Sequence, residues 1–478
     1  MRVAGNGLLC CLLGALGVLA VRPAAAADPG WTMYRGNAQR TGNVDGKPGP
    51  ANPAVLWAYH SKEHFIASPT PAGDRVFFTG LGPFNVSTFY CFATDPKAEA
   101  RTLWTKTTPF IKMPSVSSPA VVGDKLIFGD GMHQTDGATL YCLSLATGRP
   151  LWQLPVPGEL VHLEGSPTVV DGRVYLGGGN AGVLCVDMNR VTLEGKEMDL
   201  PAIQKILDQK WAALQTKYEA DKKKDPTFAV PPSDDQLPKP APVLLWEAGK
   251  DKWHVDAPVT VVGDRVLVAS AFLDKEQLGD RALFCLDAKT GDIVWRKPLK
   301  INPWGGPSVA GKTVVVSGST IGLDPKAVKG ARGELTAFDL DKGDEKWHKE
   351  IKGGVVSCAA LTADAAVVTA TDGNVRVFSL ATGDRLGNLD LKTPIFAPPA
   401  VVGGVAYVGD LGGVVHAINL ADMSEKWKLD LATDPAVKAP GMIYGGPSLQ
   451  GGRVYVGTCN LADNGKGTPT AVVCIGEK

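Results

Sequence analysis

The segment YCLSLATGRPLW, residues 141–152, decides the fold. It reads as a short apolar strand, a Thr-Gly turn and a second strand that ends in Trp152. Glycine accepts the positive φ that such a turn demands, so the segment predicts a β-hairpin. The same pattern returns as FCLDAKTGDIVW at residues 284–295, and Gly343 again precedes Trp347 by four residues.

A second landmark gives the length of the repeat. A small residue and a proline precede an apolar run, a Gly/Asp turn and another apolar run. Most steps between these pairs are about 40 to 52 residues, which is the period of a propeller blade. Cys358-Ala359 fills the slot in one unit. The other pairs are Ser68-Pro69, Ser118-Pro119, Ser166-Pro167, Ala257-Pro258, Gly306-Pro307, Pro398-Pro399 and Gly446-Pro447.

Each unit reads as four strands, and most units end in a tryptophan that we assign to structural docking. One four-stranded sheet per repeat predicts an all-β chain, an eight-bladed β-propeller of four-stranded antiparallel blades over residues 54–478. The last unit stops after three strands, and the N-terminal strand 54–59 carries the missing signature, so it should close the last blade. The unit near Gly387 lacks the tryptophan. The docking residues are Trp57, Trp104, Trp152, Trp246, Trp295, Trp347 and Trp427.

The first 27 residues read as a signal peptide. Arg2, an apolar run and an alanine-rich cleavage site follow one another, and residues 28–53 then form an N-terminal extension. The apolar run is too short for a membrane span. We therefore expect an exported protein, periplasmic or extracellular, without a transmembrane segment. The net charge of zero argues against nucleic acid as a partner.

The repeats resemble the PQQ-type (pyrroloquinoline-quinone-type) β-propeller repeat family of bacterial proteins. The strings at 141–152 and 284–295 look like its repeat with the tryptophan docking motif, and residues 31–42, WTMYRGNAQRTG, look like the opening segment of such proteins. In that family the tryptophan packs between neighbouring blades. The family includes both quinoprotein dehydrogenases and scaffold proteins that bind no cofactor.

The quinoprotein members bind PQQ with calcium, and they use an Asp base and often a ring of adjacent cysteines. The adjacent pair in this chain, Cys10-Cys11, lies in the signal peptide, and no motif matches the calcium ligands or the base. We therefore expect no cofactor and keep PQQ with calcium as the alternative.

Cysteines follow the repeat as well. Cys91, Cys142, Cys185, Cys285 and Cys474 occupy one equivalent position, which alanine fills in other units, so we expect buried, reduced thiols. A disulfide between Cys459 and Cys474 is the alternative for that pair. No C-x-x-C spacing of the metal-binding kind occurs, and the sequence assigns no metal ligands.

Polar residues gather in the loops of one face. The loops from the fourth strand of one blade to the first of the next, and those from second to third strands, share this face. Converging imidazole, carboxylate and aromatic groups there could bind a small molecule or a metal, although polar loop residues are often only solvated. The candidate residues are His64, His133, His162, Glu164, Trp253, His254, Asp256, Trp304 and Tyr444.

An insertion at residues 190–242 departs from the repeat. Asp199 and Pro201 predict a helix start, and a proline-rich return follows the helix. An apolar stripe at helical spacing could pack on the propeller rim or bind a protein partner. The stripe residues are Ile203, Ile206, Leu207, Trp211, Leu214 and Tyr218.

From these patterns we expect a non-enzymatic, monomeric ring that acts as a protein-binding or assembly scaffold. The closest analogue by resemblance is the cofactor-free propeller lipoprotein of the bacterial barrel-assembly machinery. One alternative is a small-molecule or metal binder on the loop face, and another is a PQQ-dependent oxidoreductase.

Overall fold

Eight antiparallel sheets form the protein, and their strand order is that of a closed β-propeller. The computed structural model describes residues 31–44, 46–133, 135–461 and 467–478. The fold prediction is confirmed: the blades have four strands each, and one of them carries an additional strand and a helix. The predicted signal peptide, residues 1–27 with Cys10 and Cys11, lies outside the described residues.

The strands are named A to D from the inside of each blade outward. Strand β1 (Pro53–Ser61) comes first in the chain and belongs to the last blade. Blade one contains β2 (Thr70–Ala72), β3 (Arg75–Leu81), β4 (Ser87–Ala93) and β5 (Thr102–Lys106). Blade two contains β6 (Ala120–Val122), β7 (Lys125–Gly129), β8 (Ala138–Ser144) and β9 (Pro150–Val156). Blade three contains β10 (Thr168–Val170), β11 (Arg173–Gly177), β12 (Val183–Leu193), β13 (Lys196–Asp199) and β14 (Ala241–Ala248). Blade four contains β15 (Thr260–Val262), β16 (Arg265–Leu273), β17 (Leu278–Asp287) and β18 (Ile293–Pro298).

The remaining blades follow the same order. Blade five contains β19 (Asn302–Ala310), β20 (Thr313–Ser319), β21 (Arg332–Asp339) and β22 (Glu345–Lys352). Blade six contains β23 (Ala360–Leu361), β24 (Ala365–Thr369), β25 (Asn374–Ser379) and β26 (Arg385–Asp390). Blade seven contains β27 (Ala400–Val402), β28 (Val405–Gly409), β29 (Val414–Asn419) and β30 (Ser424–Asp430). Blade eight contains β31 (Ser448–Gln450), β32 (Arg453–Gly457) and β33 (Thr470–Glu477), with β1 outermost.

The ring closes through the N-terminal strand, as the sequence predicts. Strand β1 pairs antiparallel with β33, from Pro53 opposite Glu477 to Ser61 opposite Thr470. Trp57 lies opposite Cys474, which is the same cross-strand pair as Trp295 opposite Cys285 in blade four. Closure removes two exposed sheet edges.

Each docking tryptophan contacts the next blade. The indole N–H of Trp295 donates to the carbonyl of Leu340, and that of Trp104 donates to Leu145, in both cases in the turn between strands C and D of the following blade. The turn glycine lies directly against the ring, since a Cβ on Gly343 would come within 2.7 Å of Trp295. Equivalent N–H bonds join Trp57 to Thr94, Trp152 to Met188, Trp246 to Ala288 and Trp347 to Leu380. The indole of Trp427 donates to Pro50, which lies just before β1, the outermost strand of blade eight.

Blade six, which lacks the tryptophan, reverses the contact. Gly387 stands opposite Val377, the position that Trp347 takes opposite Ala337 in blade five. Met423 occupies the turn position of the next blade with φ 58°, where other blades have glycine. A Cβ on Gly387 would meet the Met423 side chain at 2.6 Å, so the methionine fills the space that an indole fills elsewhere.

The inner strands are linked around the ring. A hydroxyl of strand A donates to a carbonyl of the next blade in five blades. These bonds run from Thr70 to Pro119, Thr168 to Val259, Thr260 to Pro307, Ser308 to Ala359 and Ser448 to Pro69.

The N-terminal extension lies inside the ring along these strands. Inner-strand N–H groups of blades two, four, five, six and seven donate to carbonyls between Thr32 and Gly42. Arg40 is fully buried, and its guanidinium donates to the carbonyls of Tyr34 and Ser166. The extension therefore satisfies backbone donors that would otherwise face the central channel.

All seven described cysteines are free and buried. Burial raises the pKa of Cys185 and of Cys285 to about 12, which keeps both thiols protonated. The alternative of a disulfide between Cys459 and Cys474 is wrong, because each belongs to a different contact: Cys474 faces Trp57, and Cys459 bridges to Met442.

The insertion begins with an unpredicted hairpin, β12 to β13, and continues as helix α1 (Leu200–Lys224). Asp199 caps the helix by accepting from the N–H of Ala202. Of the two hypotheses for its apolar stripe, packing on the rim agrees with the structure: Ile203 and Leu207 are buried, and Trp211 and Leu214 pack against the same core. Ile206 and Tyr218 are half-buried.

The return of the insertion is fastened to the neighbouring blades. Lys106 of blade one pairs with Asp234, in the short 3₁₀ turn Asp234–Gln236, and the N–H of Gln153 donates to the carbonyl of Pro240.

A second 3₁₀ turn, Pro83–Asn85, lies between β3 and β4. No helix of the described chain has the length and hydropathy that a membrane crossing requires.

The reversed contact can be tested by restoring the usual pair. Gly387→Trp alone should destabilise the protein by about 1–3 kcal/mol, since the indole would overpack Met423. Adding Met423→Gly should recover that loss and relieve the left-handed backbone at 423, which costs about 1 kcal/mol for a side chain. Denaturant unfolding of both variants measures this; a double variant no more stable than Gly387→Trp would contradict the docking account.

Candidate functional site

The site is built by the two loops that carry His-x-acid sequences. Residues 160–164 join blade two to blade three, and residues 253–256 join blade three to blade four. Val161 in the first loop and His254 and Val255 in the second form isolated β-bridges, so alternate side chains along these segments point to opposite sides. Leu163 and Val255 are completely buried in the core, so their neighbours His162 and His254 turn the other way.

A third histidine comes from a different kind of loop. His133 belongs to the connection between β7 and β8 of blade two, and its side chain is exposed. Its backbone N–H donates to the Glu164 carboxylate, which anchors this loop to the loop between blades two and three. Neighbouring bridges pair Asp136 with Val161.

The side chains converge at one point on the loop face. The Nε2 atoms of His254 and His162 lie 3.0 Å and 3.3 Å from the same Asp256 oxygen, Oδ1. The ring of His133 is 5.8 Å from that of His162 and 5.9 Å from that of His254, centre to centre. One donor atom from each of His133, His162, His254 and Asp256 falls within 4.8 Å of every other. We call these four residues the histidine cluster.

The cluster is not held by hydrogen bonds between its members. Both ring nitrogens of His162 and of His254, together with Oδ1 of Asp256, are buried without a hydrogen-bond partner among the described residues. The short distances to Asp256 therefore lack hydrogen-bond geometry. Leaving a buried polar atom unsatisfied costs about 1–3 kcal/mol. Packing that served stability alone would therefore not leave five such atoms in one cluster.

Electrostatics makes the centre favourable for a cation. Burial by itself would raise the pKa of Asp256, but the charges of His162 and His254 outweigh it and lower the pKa to about 2. Burial lowers the pKa of His254, yet the Asp256 carboxylate more than offsets this and raises it. Burial raises the pKa of Glu164, whose carboxylate lies 4.0 Å from His162 Nδ1.

A glycine of blade three makes room for the His162 ring. A Cβ on Gly179 would come within 2.4 Å of the Leu160 carbonyl and 2.8 Å of His162 Nε2, and φ at this position is +56°. The N–H of Gly179 also donates to the carbonyl of Val255, so the same residue joins the two histidine-bearing loops. No pattern in the sequence marks Gly179, because Gly178 and Asn180 on either side of it are typical of any tight loop.

The other candidate residues of this face lie elsewhere. His64 occupies the equivalent loop between blades eight and one, two blade steps from His162, and its Nδ1 accepts from Asn460. Trp253 is buried against Phe284, with ring centres 4.0 Å apart. Tyr444 packs edge-on against Phe396 of the preceding interblade connection. Trp304 is half-buried in β19 of blade five.

The histidine cluster does not suit the calcium ion that accompanies PQQ in quinoproteins. Calcium and similar hard cations take six to eight oxygen ligands. The histidine cluster offers three imidazoles and one carboxylate, and Glu164 adds a second carboxylate. We therefore derive no quinone chemistry from these residues.

The chain is similar to known proteins of two kinds. It matches the family model described as outer membrane protein assembly factor BamB over residues 49–224, 243–394 and 371–472. The quinohemoprotein alcohol dehydrogenase ADH IIB of Pseudomonas putida is 33% identical over 109 residues, a stretch that spans 21% of this chain and only 16% of that enzyme.

Two solved structures have the same fold. BamB from Moraxella catarrhalis superposes with a TM-score of 0.54 at 16% identity, over 88% of this chain and 97% of that one. A europium-containing methanol dehydrogenase superposes with a TM-score of 0.61 at 14% identity, over 94% of this chain and 98% of the other. At such low sequence identity these superpositions show only that the fold is shared.

The role of Gly179 can be tested against a matched glycine. Gly179→Ala and Gly263→Ala both place a side chain on left-handed backbone, at φ +56° and +57°, but a Cβ at 263 meets nothing within 4 Å. Both should lose about 1 kcal/mol of stability. Gly179→Ala should lose about 1–3 kcal/mol more by overpacking and shift the NMR signals of His162. Equal losses and unchanged His162 signals would contradict this geometry.

Proposed function

Because this chain belongs to the family of the outer membrane protein assembly factor BamB, we propose that it is an exported, non-enzymatic platform that binds a protein partner. The family match carries the proposal, since its three stretches together span most of the propeller. The predicted signal peptide supports a periplasmic or extracellular location. A scaffold needs a surface for its partner, and the ring offers two faces and an inserted arm.

The loop face is the better partner surface. On the opposite face, which we call the turn face, strands A and B are joined by two-residue turns such as Gly123-Asp124 and Gly263-Asp264. On the loop face the connections are longer, and the one in blade five runs over residues 320–331. Long loops on a rigid scaffold are where binding residues are most often found.

Exposed apolar side chains support the same choice. Phe84 on the loop face is 99% exposed and Leu323 is 52% exposed. Phe84 and Asn85 both have left-handed backbone, with φ 58° and 59°. Strained, exposed positions of this kind cluster at binding sites. The arm is less suitable, because Ile203 and Leu207 of its apolar stripe are buried in the protein's own core.

Site-specific photo-crosslinking in the cell envelope of the source bacterium tests this proposal. A photoreactive residue at Phe84 or Asp136 samples the loop face, and one at Lys289 or Lys342 samples the turn face. All four side chains are exposed. We expect one and the same protein, identified by mass spectrometry, to be captured from both loop-face positions and from neither turn-face position. Capture from the turn face alone would refute the assignment.

A PQQ-dependent dehydrogenase is the second candidate, favoured by the stretch that is 33% identical to a quinohemoprotein alcohol dehydrogenase. A titration of the purified protein with PQQ and calcium decides between the two. We expect neither a rise in melting temperature nor reduction of a dye acceptor with simple alcohols or aldose sugars. A rise accompanied by dye reduction would replace the scaffold proposal with the enzyme.

A further inference from the structure

We propose that the histidine cluster binds one divalent first-row transition-metal ion of the Zn²⁺ type. The site goes beyond the scaffold proposal and does not depend on it, because it rests on the geometry of four side chains. Its ligands would be His133, His162, His254 and Asp256.

The spacing of the donor atoms suits a tetrahedral ion. Zinc lies about 2.0–2.1 Å from imidazole nitrogen and carboxylate oxygen, so two ligand atoms of a tetrahedral site lie about 3.3 Å apart. The Nε2 atoms of His162 and His254 lie 3.3 Å and 3.0 Å from Asp256 Oδ1. Small rotations of the exposed His133 side chain would bring its ring to the remaining corner.

The unsatisfied atoms identify the missing partner as a small cation. The nitrogens of His162 and His254 and Oδ1 of Asp256 are closed to water, yet none has a hydrogen-bond partner among the described residues. A water molecule needs room and two to four polar partners of suitable geometry. A bare metal ion is smaller than water and bonds to the lone pairs of neutral imidazoles and a carboxylate, so it would satisfy one nitrogen of His162, one nitrogen of His254 and Oδ1 of Asp256 together.

The kind of donor selects the kind of metal. Imidazole suits zinc, copper, iron and nickel, whereas magnesium and calcium prefer oxygen ligands. Glu164 lies just outside the four donors, 4.0 Å from His162 Nδ1, and accepts the backbone N–H of His133. At that distance Glu164 makes no hydrogen bond to the His162 ring. Its role in this proposal is to hold the loop that carries His133 through the backbone N–H.

The ion would join three blades. His133 comes from a loop of blade two, His162 from the connection to blade three, and His254 and Asp256 from the connection to blade four. Blade three carries the insertion, whose β13, α1 and return interrupt its outer hairpin. A metal bond across its two neighbours would hold the loop face together where the repeat is most disturbed.

Direct metal binding tests the site. Mature protein without a histidine tag is treated with a chelator, loaded with Zn²⁺ and passed through gel filtration. Bound metal is then measured by inductively coupled plasma mass spectrometry. We expect one zinc per chain, a higher melting temperature with zinc but not with calcium, and the visible absorption of tetrahedral Co²⁺ after cobalt loading. A His348→Ala control should retain full binding, since His348 lies in blade five.

One substitution at a buried ligand and one at an exposed ligand separate loss of metal binding from loss of folding. His162→Ala removes a buried ligand and should weaken zinc binding by about 100-fold or more. His133→Ala changes an exposed side chain, so the ring should remain folded while zinc affinity falls at least about 10-fold. Absence of stoichiometric zinc in the wild-type protein, or wild-type affinity in His133→Ala and His162→Ala, would overturn the proposal.

Discussion

The packing of a tryptophan from one blade against the turn of the next is the interaction on which the rest of the structure depends. It combines a large buried ring with a specific N–H bond to a backbone carbonyl, so it fixes both the distance and the rotation between blades. The swap of Gly387 and Met423 shows that the required feature is a filled space between blades. Because blade positions are fixed in this way, loops far apart in sequence meet at defined points on the face.

The histidine cluster depends on the fixed rotation between neighbouring blades. Trp152 docks blade two on blade three, and Trp246 docks blade three on blade four, which brings the two His-x-acid loops side by side. His64 has the same position in its own loop, but the ring places it two blade steps away. A site of this kind belongs to the arrangement of blades, and no single blade contains it.

The repeated pattern of tryptophans, turn glycines and cysteines predicts the fold, the closure by β1 and the burial of the repeat cysteines, since each follows from a local pattern repeated many times. The helix start at Asp199 is also predicted, because a cap is a local signal. The loop face could be predicted as polar, and His133, His162, Glu164, His254 and Asp256 could be placed on it. Which of its residues meet could not be predicted: convergence depends on the exact rotation between blades, and the role of Gly179 appears only when the His162 ring is in place. The same limit explains why the sequence assigns no metal ligands, since the donors come from three loops with no recognisable spacing.

The propeller fold is shared with the family, whereas the histidine cluster is formed by side chains of three loops of this chain. Buried, unsatisfied imidazoles reduce the stability of a fold unless something binds them, which is why the cluster points to a ligand. Anomalous X-ray diffraction at the zinc edge, from crystals of the zinc-loaded protein, tests this account most directly. We predict a single strong peak about 2.0–2.1 Å from nitrogens of His133, His162 and His254 and from an oxygen of Asp256. Zinc-loaded crystals with no peak at this point, or with the ion bound elsewhere on the ring, would contradict it.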